Sequence, residues 1–174
     1  DISNWNVSKV TWIRTMFKNA TLFNQPLNNW NVSKVELING MFNGATAFDQ
    51  PLNGWNVSNV ADMSAMFQNA SSFNQPLNSW NVSNVLNMEN LFGNYLDAAS
   101  GNFPNSFNQD ISGWSINPSA DISNFGSSSG HSDDDLFTIS SEYYFIIRQT
   151  ALTNENIQDA VNAWISDPSI LLYG

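Results

Sequence analysis

The residues with the most reactive side chains lie together near position 130. His131 is the only histidine of the chain, and Asp133, Asp134 and Asp135 follow it closely, with serines on both sides of the histidine. A Ser–His–Asp triad needs a rigidly held nucleophile and an oxyanion hole. The stretch "GSSSGHSDDD" instead has the composition of an exposed loop. We therefore expect no catalysis here.

A calcium site is the better-founded chemical alternative for the same three aspartates, because Ca²⁺ prefers carboxylate oxygens as ligands. The D-x-D-x-D-G spacing of a calcium-binding loop is missing, however. Asp133, Asp134 and Asp135 are accordingly weak metal candidates, and a solvated acidic loop is the expected structure. The sequence predicts no cofactor.

Asparagines in N-x-S/T sequons form the second group of residues that could carry chemistry, as acceptors of N-linked glycans. The sequons lie at Asn6, Asn31, Asn56 and Asn81, in a repeated "NVS" phrase, and at Asn19 and Asn69. Glycans on neighbouring strands about 4.8 Å apart would collide. Asn19 and Asn69, which we expect on outer loops, are therefore the candidate glycosylation sites.

A sequence repeat predicts the structural elements that would position these residues. Trp5, Trp30, Trp55 and Trp80 are 25 residues apart, and Trp114 follows after 34, which places an insertion near residues 93–104. A fixed period of roughly 20–50 residues is typical of stacked repeats. Each copy then buries its apolar face against its neighbours. The Met–Phe pairs that recur with this period are expected in the core.

Each copy is expected to consist of a strand, a helical or 3₁₀ segment and a loop. In "PLNSWNV", Leu77, Trp80 and Val82 follow the strand pattern of leucine-rich repeats, with Trp and Val inward and the Asn outward. Ser83 is the expected N-cap, and the apolar spacing after it predicts a helix. The predicted fold class is an α/β repeat solenoid: right-handed, leucine-rich-repeat-like, with a parallel sheet, helical or 3₁₀ segments and a 25-residue period.

Polar columns are expected along this solenoid, because equivalent residues of successive parallel strands stand about 4.8 Å apart. Amide side chains at that spacing can form ladders of hydrogen bonds. The predicted ladder residues are Asn6, Asn31, Asn56, Asn81, Gln25, Gln50, Gln75 and Gln109. Contact of some of these columns with a partner is the alternative role.

The predicted organisation has three parts. Residues 1–126 form the leucine-rich-repeat-like solenoid of about five coils, with the insertion near 93–104. Residues 127–136 form an acidic Ser/Gly loop, and residues 137–174 form a helical capping or connecting block. Within that block, "LTNENIQDAVNAWISDP" has the amphipathic pattern and the end signals of a helix.

Composition limits the partners. The 174 residues are 42% hydrophobic, which suffices for a core, and only 11% charged, with a net charge of −10. An acidic chain does not suit a phosphate backbone, so nucleic-acid binding is excluded. The chain has no cysteine, hence no disulfide framework. Its longest apolar run, Tyr143–Ile147, is too short to span a bilayer.

The phrase "WNVSNVADMSAMFQNASSFNQPL" (Trp55–Leu77), with the copies on either side, resembles the BspA-type leucine-rich repeat. That family overlaps a mycoplasma lipoprotein-associated repeat domain of unknown function. About 114 residues carry the pattern W-x-V-S-x-V-x-x-M-x-x-M-F-x-x-A-x-x-F-N-Q. The resemblance implies a surface-exposed repeat protein used for adhesion or binding, and it implies no enzymatic activity.

The expected function is non-enzymatic. We expect an extracellular or cell- or virion-surface protein that is an adhesive or structural module of a longer repetitive chain, fibre or filament. The alternative is a module that recognises a glycan or a peptide on its exposed sheet face. Expected partners are copies of the chain, joined head to tail, or host and cell-surface macromolecules. The chain begins within a repeat and ends "ILLYG", so the predicted assembly residues are Asp1, Ile2, Trp5, Leu171, Leu172 and Tyr173.

Overall fold

Each copy of the repeat folds into a coil, and the coils stack on one another. The computed structural model describes residues 2–95, 106–111, 113–126 and 128–129. We number the coils by the repeat: coil 1 is residues 2–26, coil 2 is 27–51, coil 3 is 52–76, coil 4 is 77–110 and coil 5 is 111–126.

A single coil is a succession of tight turns. In coil 2 the Trp30 N–H donates to the carbonyl of Leu27 at 3.0 Å, and the Val35 N–H donates to that of Val32 at 2.8 Å. The same i to i+3 closure recurs further along the coil, where Ala45 N–H donates to Phe42 at 2.9 Å. Hydrogen bonds of this type define β-turns. Apolar residues three positions apart are thereby brought to the same side of the chain.

Backbone hydrogen bonds from alternate residues join neighbouring coils. The N–H groups of Ile38, Gly40, Phe42 and Gly44 donate to carbonyls of coil 3 at 2.8–3.0 Å. The intervening N–H groups of Met41 and Asn43 close turns within their own coil, on Ile38 and Gly40. One column of parallel bridges runs through all five coils and joins Trp12, Leu37, Asp62, Asn87 and Asp121.

Regular secondary structure is sparse. In the part of the chain that the structure describes there is no helix, and the strands are β1 (Asn94–Tyr95) and β2 (Ser128–Ser129). These two strands pair in parallel, with Asn94 opposite Ser128. β1 lies at the beginning of the insertion and β2 lies just after coil 5, so this pair also joins segments distant in sequence.

The predicted fold class is therefore wrong. A leucine-rich-repeat-like α/β solenoid requires a strand at "PLNSWNV" and a helical or 3₁₀ segment after Ser83, and the structure has turns in both places. Residues with positive φ interrupt the predicted helical segments; in coil 2 they are Gly40 (φ 63°) and Gly44 (φ 70°). In coil 3 the equivalent positions are held by Ala65 (φ 53°) and Asn69 (φ 57°), and for a residue with a Cβ the left-handed region costs about 1–2 kcal/mol. The coil-to-coil bonds also take N–H groups that a helix would direct to the fourth preceding carbonyl.

The core lies inside the stack, and its composition was predicted correctly. Trp55 and Val57 are buried and the intervening Asn56 is exposed, as expected. Phenylalanine rings form two parallel columns with centroids 5.5–6.1 Å apart from coil to coil; the columns are Phe17, Phe42, Phe67, Phe92 and Phe125, and Phe23, Phe48, Phe73 and Phe107. The two columns touch within each of coils 1 to 4, with ring centroids 3.8–4.0 Å apart.

The Met–Phe pairs behave as predicted in the interior of the stack but not at its first coil. Met41, Phe42, Met66 and Phe67 are fully buried. Met16, in coil 1, is 41% exposed, because among the described residues a coil packs on only one side of it.

Several predictions concern residues outside the described ranges. These are the acidic loop with His131 and Asp133–Asp135, the helical block of residues 137–174, and the ends at Asp1 and Leu171–Tyr173. The three-part domain organisation stays a prediction. Within the described ranges, no helical segment has the length and apolarity that crossing a bilayer demands.

Candidate assembly surface

The tryptophans of the repeat make hydrogen bonds between coils through their indole N–H groups. The indole N–H of Trp55 donates to the backbone carbonyl of Leu27 in the preceding coil at 3.0 Å, and that of Trp80 donates to Leu52 at 2.9 Å. The bonds of Trp30 and Trp114 are equivalent. A buried indole needs a hydrogen-bond partner. Each coil therefore supplies an acceptor that the next coil requires.

The four glutamines predicted to form a ladder lie in a column that does bond between coils, although not glutamine to glutamine. The Nε2 of Gln75 donates to Oδ1 of Asp49 in the preceding coil at 3.0 Å, and the backbone N–H of Asn74 donates to the same oxygen at 2.9 Å. Gln50 and Gln109 repeat this arrangement with Asn24 and Asn74 as acceptors. Gln25, in coil 1, is exposed.

These acceptors were not predicted from the sequence. Asn24, Asp49 and Asn74 each precede a glutamine in the phrases "FNQ" and "FDQ", and this shared position was the available signal. An Asp in one copy and Asn in the others indicates that the position needs an oxygen acceptor rather than an amide.

The asparagines of the "NVS" phrase bond within their own coil. Oδ1 of Asn81 accepts from the backbone N–H of Ser83 at 3.1 Å and from its hydroxyl at 2.8 Å. Asn6 and Asn56 make the same two contacts with the serine two positions on, and Asn31 makes the backbone contact. Such Asx turns stabilise a local bend. Across the described coils, no hydrogen bond joins these four amides to each other.

A neighbouring asparagine makes the coil-to-coil contact instead. The Nδ2 of Asn84 donates to the backbone carbonyl of Ser58 at 2.7 Å, and that of Asn59 donates to Ser33 at the same distance. These residues occupy the variable position of "NVSNV" and "NVSKV", where coils 1 and 2 carry Lys9 and Lys34. The polar columns therefore hold adjacent coils in register.

The candidate glycosylation sites Asn19 and Asn69 lie in turns with positive φ, 59° and 57°. Both bond to the next coil through their backbone N–H groups, Asn19 to Asn43 at 2.7 Å and Asn69 to Gly93 at 3.0 Å. The Asn19 side chain is exposed, whereas that of Asn69 is half-buried. Asn19 is thus the more accessible of the two, and glycosylation stays a prediction.

Coil 1 is more exposed than the interior coils. Trp5 stacks on Trp30 with centroids 6.4 Å apart, yet Trp5 is 53% exposed and Trp30 only 3%. Leu22 is 92% exposed. Of the predicted assembly residues, Ile2 lies half-buried in this coil, where its carbonyl accepts from the Trp30 indole at 3.0 Å.

The charge of coil 1 is positive. Lys9, Arg14 and Lys18 are all exposed, and the Arg14 guanidinium lies 5.9 Å from the ring centroid of Trp12, itself an exposed residue. Coil 1 carries no acidic residue. Coil 5, in contrast, carries Asp121, whose pKa is lowered by hydrogen bonds from the side chain and then the backbone N–H of Ser123, against a small opposing effect of burial.

The coils were searched for clusters of side chains that could bind a metal ion. Among the described residues, no group of three or more His, Asp or Glu side chains is placed to hold a metal ion. The weak metal candidates Asp133, Asp134 and Asp135 lie outside the described ranges, and so does His131.

These features define a protein built from stacked 25-residue coils that are held together by recurring side-chain and backbone hydrogen bonds. Residues 1–102 match the family described as Mycoplasma protein of unknown function, DUF285, and the chain belongs to that family. Comparison with curated proteins and with solved structures finds no match.

Proposed function

We propose that the protein is a non-enzymatic surface protein, located outside the cell, and that its coils are an adhesive or structural module of a longer repetitive chain, fibre or filament. The observation that carries this proposal is the set of hydrogen bonds that polar side chains make to the neighbouring coil. The tryptophan indoles, the glutamines of "FNQ" and the asparagines of "NVSNV" are directed at the neighbouring coil. A chain with this arrangement is suited to forming an extended, regular body.

The family match supports the proposal in a general way. DUF285 is compatible with repeat proteins of the surface, and the phrase at Trp55–Leu77 resembles the BspA-type repeats in particular. Stacked repeats also have a physical advantage in this role. Because each coil contacts only its neighbours, length can be added without redesign of the core.

Location at the surface can be tested by protease treatment of intact cells of the source organism. The exposed tips of the coils contain Lys9, Arg14, Lys18 and Lys34, so trypsin should release peptides from this region without lysis. Release only after the cells have been broken would refute the surface location. A cytosolic protein measured in the same samples controls for leakage.

A second function, recognition of a glycan or a peptide, is favoured by the exposed "NVS" asparagines. Their Oδ1 atoms accept bonds within the coil, and the side chains are exposed at each 25-residue repeat. A multivalent ligand with a matching repeat could bind several of them at once.

The two functions differ in the effect of changing these asparagines. Asn31→Asp, Asn56→Asp and Asn81→Asp keep the Oδ1 acceptor and remove the amide donor, so folding should be preserved. A ligand-binding module would lose its binding to immobilised cell-surface glycans or matrix proteins in the triple variant. A structural module would keep its assembly and its melting temperature.

A further inference from the structure

Glycine follows asparagine at three places in this chain, Asn39–Gly40, Asn43–Gly44 and Asn53–Gly54. In such a pair the backbone nitrogen of the glycine can attack the side-chain amide carbon of the asparagine, because glycine has no Cβ to obstruct the approach. The reaction requires a glycine nitrogen that can turn toward Cγ. The hydrogen bonding of each glycine N–H therefore decides which pair can react.

The first two pairs have their glycine nitrogen fixed between coils. The N–H of Gly40 donates to the carbonyl of Ser64 at 2.8 Å, and that of Gly44 donates to the carbonyl of Gln68 at 2.8 Å. Gly40 is buried and Gly44 is half-buried. Attack by either nitrogen must first break a hydrogen bond that joins coil 2 to coil 3.

The third pair lies in an exposed turn. Asn53 and Gly54 are the two central residues of the turn that the Trp55 N–H closes on the carbonyl of Leu52 at 3.0 Å. Among the described residues, none accepts a hydrogen bond from the Gly54 N–H. Gly54 is exposed, and beyond its chain neighbours no atom lies within 4 Å of the position that a Cβ would take. Exposed turns of this kind open locally at a small cost in free energy.

The side-chain amide of Asn53 accepts hydrogen bonds from coil 4. Its Oδ1 accepts from the backbone N–H of Ser79 at 3.0 Å and lies 2.7 Å from the Ser79 hydroxyl, which also contacts the backbone carbonyl of Asn53. Attack on Cγ moves negative charge onto Oδ1, and donors that already point at that oxygen stabilise the charge. Within the described ranges, no hydrogen bond holds the Nδ2 group, which has to leave.

We propose that Asn53–Gly54 is a site of self-modification, at which the folded protein deamidates through a cyclic imide with Ser79 donating to the developing charge. The Gly54 nitrogen loses its proton to a solvent base and bonds to Cγ of Asn53, and Nδ2 takes a proton from solvent and leaves as ammonia. Water then opens the imide. Cleavage of the bond between Cγ and the Gly54 nitrogen yields an aspartyl residue, and cleavage of the bond between the backbone carbonyl carbon and that nitrogen yields an isoaspartyl residue.

The two products have different effects on the stack. An aspartyl carboxylate still accepts from Ser79 and adds one negative charge to this turn. An isoaspartyl residue lengthens the backbone of the turn by one methylene group, so the hydrogen bond between Trp55 and Leu52 has to close a longer loop. The reaction uses only water, and it is independent of the proposed adhesive or structural role.

The experiment is peptide mapping of the purified 174-residue protein after incubation at neutral pH in heavy-oxygen water. Chymotrypsin cleaves after aromatic residues and leucine, so the three pairs fall in separate peptides, 38–42, 43–48 and 49–55. Opening of the imide places heavy oxygen in the product. The label distinguishes conversion during the incubation from conversion during digestion in ordinary water, and electron-transfer fragmentation distinguishes the two products.

We expect the Asn53 peptide of the folded protein to be converted at least about tenfold faster than the other two, because hydrogen bonds between coils open more rarely than an exposed turn. In urea that unfolds the stack, the three rates should approach one another. Equal rates in the folded protein would overturn the proposal. An Asn53 peptide that stays unlabelled over the time in which the unfolded chain is converted would also overturn it.

Variants test the parts of the site. Ser79→Ala removes the hydroxyl donor and keeps the backbone N–H, so conversion at Asn53 should slow roughly two- to tenfold, the effect of one neutral hydrogen bond. Ser72→Ala removes an exposed hydroxyl elsewhere in coil 3 and is the matched control, which should leave the rate unchanged. Gly54→Ala should suppress conversion while it keeps the native melting temperature. An unchanged or faster rate in Ser79→Ala would overturn the role of Ser79.

Discussion

Replacement of one phenylalanine in the middle of the ring column should cost far more stability than the same replacement in coil 1. Phe67 is fully buried, with Phe42 and Phe92 at 5.7 and 5.6 Å on either side and Phe73 at 4.0 Å within its own coil. Truncation of a fully buried Phe to Ala costs about 3–5 kcal/mol. The stacked neighbours place Phe67→Ala in the upper part of that range, because each aromatic pair contributes about 0.5–1.5 kcal/mol beyond its buried area.

Phe17 is the equivalent ring in coil 1 and provides the control. It contacts Phe42 at 5.7 Å and Phe23 at 3.9 Å, but no ring of the described residues covers its other face, and its side chain is only half-buried. Because hydrophobic stabilisation scales with the apolar area buried, Phe17→Ala should cost about 1.5–2.5 kcal/mol. The difference between the two variants is therefore expected to be about 2 kcal/mol.

Urea unfolding followed by circular dichroism and by tryptophan fluorescence measures this difference. The free energy of unfolding is extrapolated linearly to zero urea, and coincidence of the two signals checks that the transition is two-state. Equal losses of stability in Phe17→Ala and Phe67→Ala would contradict the difference in burial between these two rings.

Three further predictions concern single positions. Gly44→Ala should lower the free energy of unfolding by at least about 1 kcal/mol. At this position φ is 70°, and the added Cβ would lie 2.5 Å from a side-chain oxygen of the preceding coil. Gly54→Ala, where nothing lies within 4 Å of the added Cβ, should not lower it, and equal melting temperatures of the two variants would contradict this. Asp49→Asn keeps the acceptor for the next coil and should be nearly neutral, while Asp49→Ala should cost about 1–2 kcal/mol in urea unfolding. The pKa of Asp121 lies below its unfolded value, so its contribution to stability is present above the unfolded pKa and is lost as pH falls through the folded pKa. Ser123→Ala should raise the pKa of Asp121 in an NMR titration. An unchanged titration curve would contradict Ser123 as the cause of the lowered pKa.

The inward and outward directions of side chains could be predicted from the sequence. Trp80 and Val82 are buried and Asn81 is exposed, as the apolar pattern indicates. This prediction survives the wrong choice of secondary structure, because a strand and an extended link between two turns both place alternate residues on opposite sides.

The type of backbone structure could not be predicted in the same way. Val35, Ile38 and Met41 have the three-residue spacing that was assigned to a helix. Successive i to i+3 turns produce a similar spacing, and here the Met41 N–H closes such a turn on Ile38. A local apolar pattern does not distinguish these two backbones.

The polar columns show the same limit. The sequence indicated that glutamines and asparagines recur with the coil, and this is sufficient to predict columns. It did not indicate that Gln75 would bond to Asp49 of the preceding coil, or that Asn81 would bond to Ser83 of its own. An amide can serve a neighbouring residue or a neighbouring coil, and the choice depends on where the next backbone lies.

The sequence by itself determined the 25-residue period and the set of residues facing the core. The tertiary structure alone decided which N–H groups bond within a coil and which bond between coils. The physical reason is that the N–H of Gly40 meets the carbonyl of Ser64, at 2.8 Å, only when two coils are stacked. The carbonyl of a residue far along the chain thus competes with a local carbonyl for the same N–H group. Which of the two accepts the hydrogen bond depends on the stacking of whole coils rather than on the pattern within any one of them.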